Sequence, residues 1–212
     1  MKTGILWDLD GTLLDTLQDL TDAVNHTMDC FGYPRRTIQE VRMFVGNGTQ
    51  RLIAQAVPEG ENSDPAFEEY KAYYGTHCRV KTCPYPGVVE ALEELGKKYP
   101  MAVVSNKPDS AVKPLCADYF PGVFALGETK DLPRKPAPDM VFRAMAEIGV
   151  ERCVYVGDSD VDVITAANAG MPCLSVLWGF RDREDIEAKG GCHFCDDPKD
   201  LVKMIEELIH GQ

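Results

Sequence analysis

No window of this 212-residue sequence approaches the roughly 18 uninterrupted apolar residues of a membrane-spanning helix, so a membrane span is not expected. Asp8 interrupts the N-terminal apolar run before a secretory core develops, and a cytoplasmic location is expected. Positive charge is scarce too: 22 Lys and Arg against 34 Asp and Glu leave a net charge of −12, a field that repels a phosphate backbone. Nucleic acid is therefore not an expected partner. There is no internal repeat and no low-complexity tract, and 44% hydrophobic with 26% charged residues is the composition of a globule, which excludes intrinsic disorder. A chain of this length buries roughly 70% of its unfolded surface, so it needs no covalent staple, and at most two folding units fit. The eight cysteines, several standing singly in apparent helices and strands (Cys30, Cys116, Cys153, Cys173), are expected as reduced thiols. Cys192 and Cys195 have Cys-x-x-Cys spacing, but only His193 stands beside them and a zinc site needs a second ligand pair. Half-buried thiols next to a short strand are the expectation there.

What is present is an alternation of strands and helices. Five short apolar runs, Gly4 to Trp7, Met101 to Val104, Val123 to Leu126, Cys153 to Val156 and Cys173 to Leu177, read as buried strands. Helix-period stripes lie between the later ones: Val88, Leu92 and Leu95, then Val141, Met145 and Ile148, then the Ala-rich stretch from Val161 to Ala169. Strands alternating with helices predict an α/β fold with a parallel, doubly wound sheet.

Between the first two strands about 80 residues carry helical signals only. Leu17, Leu20, Val24, Met28 and Phe31 recur at helix spacing, Thr37 to Glu40 forms a capping box, and Asp64 with Pro65 reads as a cap followed by the first helical residue. Phe67, Tyr70 and Tyr74 continue an apolar stripe. The reading is an all-helical cap over residues 15–83 inserted into a core of residues 1–14 and 84–212. Hinges are expected near residues 15 and 83, and cap opening and closing with them.

In doubly wound sheets ligands sit beyond the carboxyl ends of the strands. The polar residues found there are Asp8-Leu9-Asp10-Gly11-Thr12, Ser105-Asn106, Lys135, and Gly157-Asp158-Ser159-Asp160-Val161-Asp162. Clustered carboxylates repel one another unless a cation holds them, and a few hard oxygen ligands suit Mg²⁺, with Asp8 and Asp158 the candidates. A phosphoryl group brought there needs an in-line nucleophile and a proton donor for the leaving alkoxide. Strand alternation places Asp8 and Asp10 on one side, as nucleophile and general acid–base. Calcium loops are excluded, since both Asp-x-Asp frames put Leu13 or Val163 where glycine is required and Asp19 or Ala169 where glutamate is required. Helix capping competes as a reason for Asp158, Ser159 and Asp160, and a solvated basic turn as a reason for Lys135. Their joint order after successive strands favours function.

On these motifs the chain resembles the haloacid-dehalogenase-superfamily phosphatases, in particular the phosphoglycolate-phosphatase-like branch with a helical cap after the first strand. The resemblance implies that Asp8 forms an aspartyl-phosphate and that Asp10 protonates the leaving group and then activates water. It implies that Ser105 and Lys135 hold phosphate oxygens, with Lys135 also pairing Asp8. Gly11, Thr12 and Asn106 adjoin these motifs and join the phosphate-binding candidates. Mg²⁺ would be bound by Asp8, the Asp10 backbone carbonyl and Asp158, supported by Asp162 and Ser159. Trp7 stands where phenylalanine is usual. In the cap, Val45-Gly46-Asn47-Gly48 resembles the substrate-specificity loop, which makes Asn47 and Gly48 binding candidates; a plain Asn-Gly turn is the competing account. Arg51 is a weaker candidate for a substrate carboxylate. The implied partner is a small phosphorylated metabolite, phosphoglycolate first, with the chain a monomer or homodimer. A sugar-phosphate phosphatase, pyrophosphatase, nucleotidase or phosphomutase, a dehalogenase and a phospho-accepting receiver switch are the alternatives.

Overall fold

A computed structural model describes residues 2–211. In chain order its strands are β1 (Thr3–Trp7), β2 (Leu14–Asp15), β3 (Cys83–Pro84), β4 (Met101–Pro108), β5 (Phe124–Glu128), β6 (Arg152–Gly157), β7 (Cys173–Val176) and β8 (His193–Cys195). Six of them form one sheet in the order β5-β4-β1-β6-β7-β8, every pairing parallel. Helices cover both faces, which is why the strands read as continuous apolar runs. Ile5, Trp7, Val103, Val154 and Val156 pack on one side with α5 (Val88–Gly96), α6 (Asp109–Tyr119) and, beyond the short α9 (Arg183–Glu187), α10 (Leu201–His210). Leu6, Ala102, Val104 and Tyr155 pack on the other with α7 (Asp139–Ile148) and α8 (Asp160–Asn168). The chain runs from β1 to β4 and β5 on one flank and then crosses to β6 on the other, so the crevice at the ends of β1, β4 and β6 is a topological switch point.

Among the boundaries that differ from the sequence reading, three have a clear physical reason. β4 does not stop at Val104 but continues to Pro108, through a register shift that pairs Pro108 with Glu128. The polar Ser105, Asn106 and Lys107 end the apolar pattern yet stay in the strand, buried toward the site. β1 ends at Trp7, so Asp10 belongs to a turn in which the N–H groups of Leu13 and Leu14 both donate to the Leu9 carbonyl; strand alternation is not what places it beside Asp8. The fourth helix begins at Asp64 itself, because the Asn62 side chain takes the Asp64 N–H, and Pro65 sits one position inside the first turn.

Between β2 and β3, which pair antiparallel, lie α1 (Leu17–Phe31), α2 (Ile38–Phe44), α3 (Thr49–Ala56) and α4 (Asp64–His77). Leu20, Val24, Val41, Ile53, Tyr70 and Tyr74 form a second apolar cluster there. The capping box that opens α2 is formed, with Glu40 N–H donating to Thr37 Oγ1 at 3.2 Å and Thr37 N–H to Glu40 at 2.7 Å. No described helix is long and apolar enough to cross a membrane.

The return from α4 is held by Asp19 of α1. Its buried carboxylate accepts the backbone N–H groups of Val80, Lys81 and Thr82 and the Thr82 hydroxyl, at 2.8 to 3.0 Å. Asp19→Ala strands these donors, so it is expected to cost about 3 kcal/mol in urea unfolding. Asp22→Ala, which removes an exposed pair with Lys81 and an exposed hydrogen bond from Gln18, costs less than about 1 kcal/mol. Equal costs would deny Asp19 this role.

Candidate active site

Asp8 follows β1 directly and its N–H donates to the Val156 carbonyl at 2.8 Å, which extends the strand by one residue into the crevice. Opposite it, the Lys135 ammonium spends all three donors: 2.8 Å to Asp8 Oδ1, 2.8 Å to Asp162 Oδ1 and 2.9 Å to the Tyr155 hydroxyl. Asp162 Oδ2 accepts from Ser159 N–H and Oγ, the box that opens α8. Capping therefore does account for Ser159 and Asp162. It does not account for Asp158, whose oxygens turn instead to Thr12 Oγ1 at 3.0 Å and Phe180 N–H at 2.7 Å. Two glycines permit this packing. Gly11 turns with φ +87°, and a Cβ there or on Gly179 would collide with Asp158.

Oxygen atoms of Asp8, Asp158 and Asp162 lie within 4.8 Å of one another, all buried. Burial drives the Asp8 carboxyl well above its ordinary range, and the charges of Asp162 and Asp158 add to the effect against the pull of Lys135. Burial, then Asp162, pushes Asp158 up to about 7. Burial opposes charge on Lys135, but Asp162 and Asp8 outweigh it and keep the ammonium charged. Three acidic side chains share a single ammonium, and a divalent cation would offset the burial and repulsion that hold two of them above their ordinary range. The donors are all hard oxygens, as Mg²⁺ requires.

Residues 5–176 match the family model of haloacid dehalogenase-like hydrolases. The chain belongs to this family. It is 32% identical to phosphoglycolate phosphatase 1 of Pseudomonas aeruginosa over 96% of this chain and 79% of that protein, and 34% identical to the phosphoglycolate phosphatase of Rhodobacter capsulatus over 85% and 87%. A crystal structure of a provisionally named phosphoglycolate phosphatase from Lactobacillus delbrueckii subsp. bulgaricus superposes with a TM-score of 0.89 at 36% identity, covering 97% of this chain and 99% of that one. This haloacid dehalogenase-like hydrolase is a phosphatase, so the receiver-switch alternative falls away.

The phosphatase cavity is lined by Asp8, Asp10, Ser105, Lys135 and Asp158 from the sheet side, and by Leu20, Gly48, Leu52, Tyr70 and Tyr74 from α1, the α2–α3 loop, α3 and α4. Other candidates sit differently from the sequence reading. Thr12 braces Asp158 through its hydroxyl and accepts from Trp178 Nε1 through its carbonyl. Gly11 supplies the turn; neither residue lines the cavity. Asn106 lines the cavity, and its side chain clasps the lysine loop, donating to the Lys135 and Gly46 carbonyls and accepting the Lys135 N–H. Gly48 reaches the cavity where Asn47 does not, and Arg51 is exposed outside it.

Two site residues were not foreseen. Lys107, buried in the polar end of β4, donates to Asp10 Oδ1 and to the Tyr74 hydroxyl, each at 2.6 Å. Arg181 donates to the carbonyls of Arg42, Met43, Val45 and Phe180, a strap between the loop after β7 and the residues around α2. The lysine directly after Ser105-Asn106 was the available signal for the first; nothing local marks the second. Cys195 is buried, its thiol donating to the Asp197 carbonyl at 3.2 Å, and no metal-ligating group forms around Cys192 and His193 among the described residues.

Proposed function

We propose that this phosphatase hydrolyses a compact phosphomonoester carrying a second anionic group, with 2-phosphoglycolate the first substrate to test. The observation that carries the reading is the contact of Lys135 with Asp8 beside Asp158 in one buried cavity. Asp8 is the nucleophile: its carboxylate oxygen bonds to phosphorus as the ester P–O bond breaks, and Asp10 gives its proton to the departing alkoxide. Water then attacks the aspartyl-phosphate; Asp10 takes its proton, the P–O bond to Asp8 breaks, and phosphate leaves. Ser105 holds a phosphoryl oxygen, and Lys135 takes another in exchange for its Asp8 contact as that carboxylate oxygen bonds to phosphorus. Asp8, the Asp10 carbonyl and Asp158 would hold Mg²⁺, which when bound neutralises charge on the transferring group. Asp162 positions Lys135, and Ser159 positions Asp162. Residues 15–83 act as the cap, with β2 and β3 as the pivot for substrate access.

The second anionic group is argued from donors. Of the three cations that line the cavity, Lys135 has all three N–H bonds committed and Arg181 gives its terminal N–H groups to backbone carbonyls. Lys107 commits two of three, to Asp10 and Tyr74. Its third is left over inside the cavity, where a substrate carboxylate would make a charge-assisted bond with it.

Phosphate release with Mg²⁺ from 2-phosphoglycolate and from ethyl phosphate, its analogue lacking the carboxylate oxygens, tests both parts. Chelation is expected to abolish turnover of each. Lys107→Gln is expected to lower kcat on both substrates through Asp10, and to raise KM for 2-phosphoglycolate alone by a further factor of about 10 to 100. Equal losses on the two would leave the phosphatase reading intact and remove Lys107 as the carboxylate anchor. No phosphate from any small ester would remove the reading itself.

A further inference from the structure

Away from the phosphatase chemistry, on the solvent side of α1 and α4, three dissimilar donors converge. Cys30 stands one turn after His26 on α1, and Glu69 faces them from α4. His26 Nε2 lies 3.2 Å from Glu69 Oε1 and 3.6 Å from Cys30 Sγ, and one ligand atom from each of the three residues falls within a 4.8 Å group. The His26 ring is fixed by stacking on Tyr73 at 3.8 Å, which itself stacks on His77 at 3.9 Å.

A single proton cannot serve these contacts well. If Nε2 carries hydrogen it donates to Glu69 but cannot accept the Cys30 thiol proton; if it is bare it accepts from the thiol but faces the Glu69 carboxylate with a lone pair. A cation in place of the proton satisfies all three atoms. The spacing agrees with this: with Zn–N of about 2.0–2.1 Å, Zn–S of about 2.3 Å and Zn–O of about 2.0–2.2 Å, tetrahedral ligation separates nitrogen from sulfur by about 3.5 Å and nitrogen from oxygen by about 3.3 Å.

We propose that His26 Nε2, Cys30 Sγ and Glu69 Oε1 form a binding site for a borderline-soft divalent cation, Zn²⁺ above all, with water completing the tetrahedron. Binding expels the Cys30 thiol proton and ties α1 to α4. The inner faces of those two helices present Leu20, Tyr70 and Tyr74 to the cavity, so the ion stiffens the wall that meets the substrate. The mixed sulfur, nitrogen and oxygen set discriminates against Mg²⁺, which takes oxygen ligands.

Cobalt substitution reads the site directly. With Mg²⁺ saturating, Co²⁺ titrated into the reduced full-length chain is expected to give thiolate-to-cobalt absorption that saturates at one equivalent and is lost in Cys30→Ser and His26→Ala. Glu69→Gln is expected to weaken Co²⁺ by about ten-fold or more, and Cys192→Ser to leave the band intact. Zn²⁺ is expected to raise the Tm of the parent chain and not of folded Cys30→Ser. Absence of the band at several-fold excess Co²⁺, or its survival in Cys30→Ser, would overturn the site. Neither result touches the phosphatase reading, since none of these residues lines its cavity.

Discussion

Asp8→Asn is expected to lower the rate of phosphate release by about 10⁴-fold or more while leaving the fold intact. An amide oxygen fills the same space but is a far poorer nucleophile, so the bond to phosphorus does not form. The stability consequence has the opposite sign. Asp8 is one of three buried carboxylates facing a single ammonium, and burial together with Asp162 and Asp158 already disfavours its charge. Neutralising it relieves that repulsion, at the cost of weakening one Lys135 contact at 2.8 Å. Without Mg²⁺ the variant is therefore expected to unfold in urea at a midpoint equal to or above the parent's, as for a site that trades stability for activity. Steady-state phosphate release and Mg²⁺-free urea melts check the two halves separately. Retained turnover would take the nucleophile away from Asp8; a large fall in midpoint would show that the carboxylate serves structure instead.

The same electrostatics explains which parts of the site were legible in the sequence. Asp8, Lys135 and Asp158 were found because each follows an apolar run, and a parallel sheet collects the ends of such runs at one edge. The positions of Thr12, Asn106 and Asp10 were not legible, because they depend on which partner a polar side chain meets after folding. Thr12 turns to Asp158, 146 residues away in sequence, and Asn106 to the Lys135 backbone. Lys107 was hidden for a related reason. A strand that is apolar for four residues and polar for the next three reads as ended, whereas β4 continues because Pro108 finds a partner in Glu128. Arg181 lies 139 residues from the Arg42 carbonyl it meets, so no local pattern announces it. Helices α1 and α4 were readable as apolar stripes and the start of α2 as a capping box, since these patterns depend on near neighbours alone.

Lys135 separates structure from chemistry in a way the nucleophile does not. Lys135→Met leaves the buried carboxylates of Asp162 and Asp8 without their shared ammonium, and is expected to cost about 3–5 kcal/mol of stability as well as nearly all turnover. Adding Asp162→Asn removes one of the stranded charges. The amide oxygen can still accept from Ser159, whose N–H and Oγ reach Asp162 Oδ2 at 3.1 and 2.6 Å, so the opening of α8 survives. The double variant is therefore expected to recover about half of the lost stability in urea unfolding, a non-additivity that reports the pair directly. Turnover is expected to stay lost, because the other two cations that line the cavity are held away from Asp8: Lys107 by Asp10 and Tyr74, and Arg181 by backbone carbonyls. Recovery of both together would mean that Lys135 acts only by holding the site together. Recovery of stability alone places its ammonium on the transferring phosphoryl group.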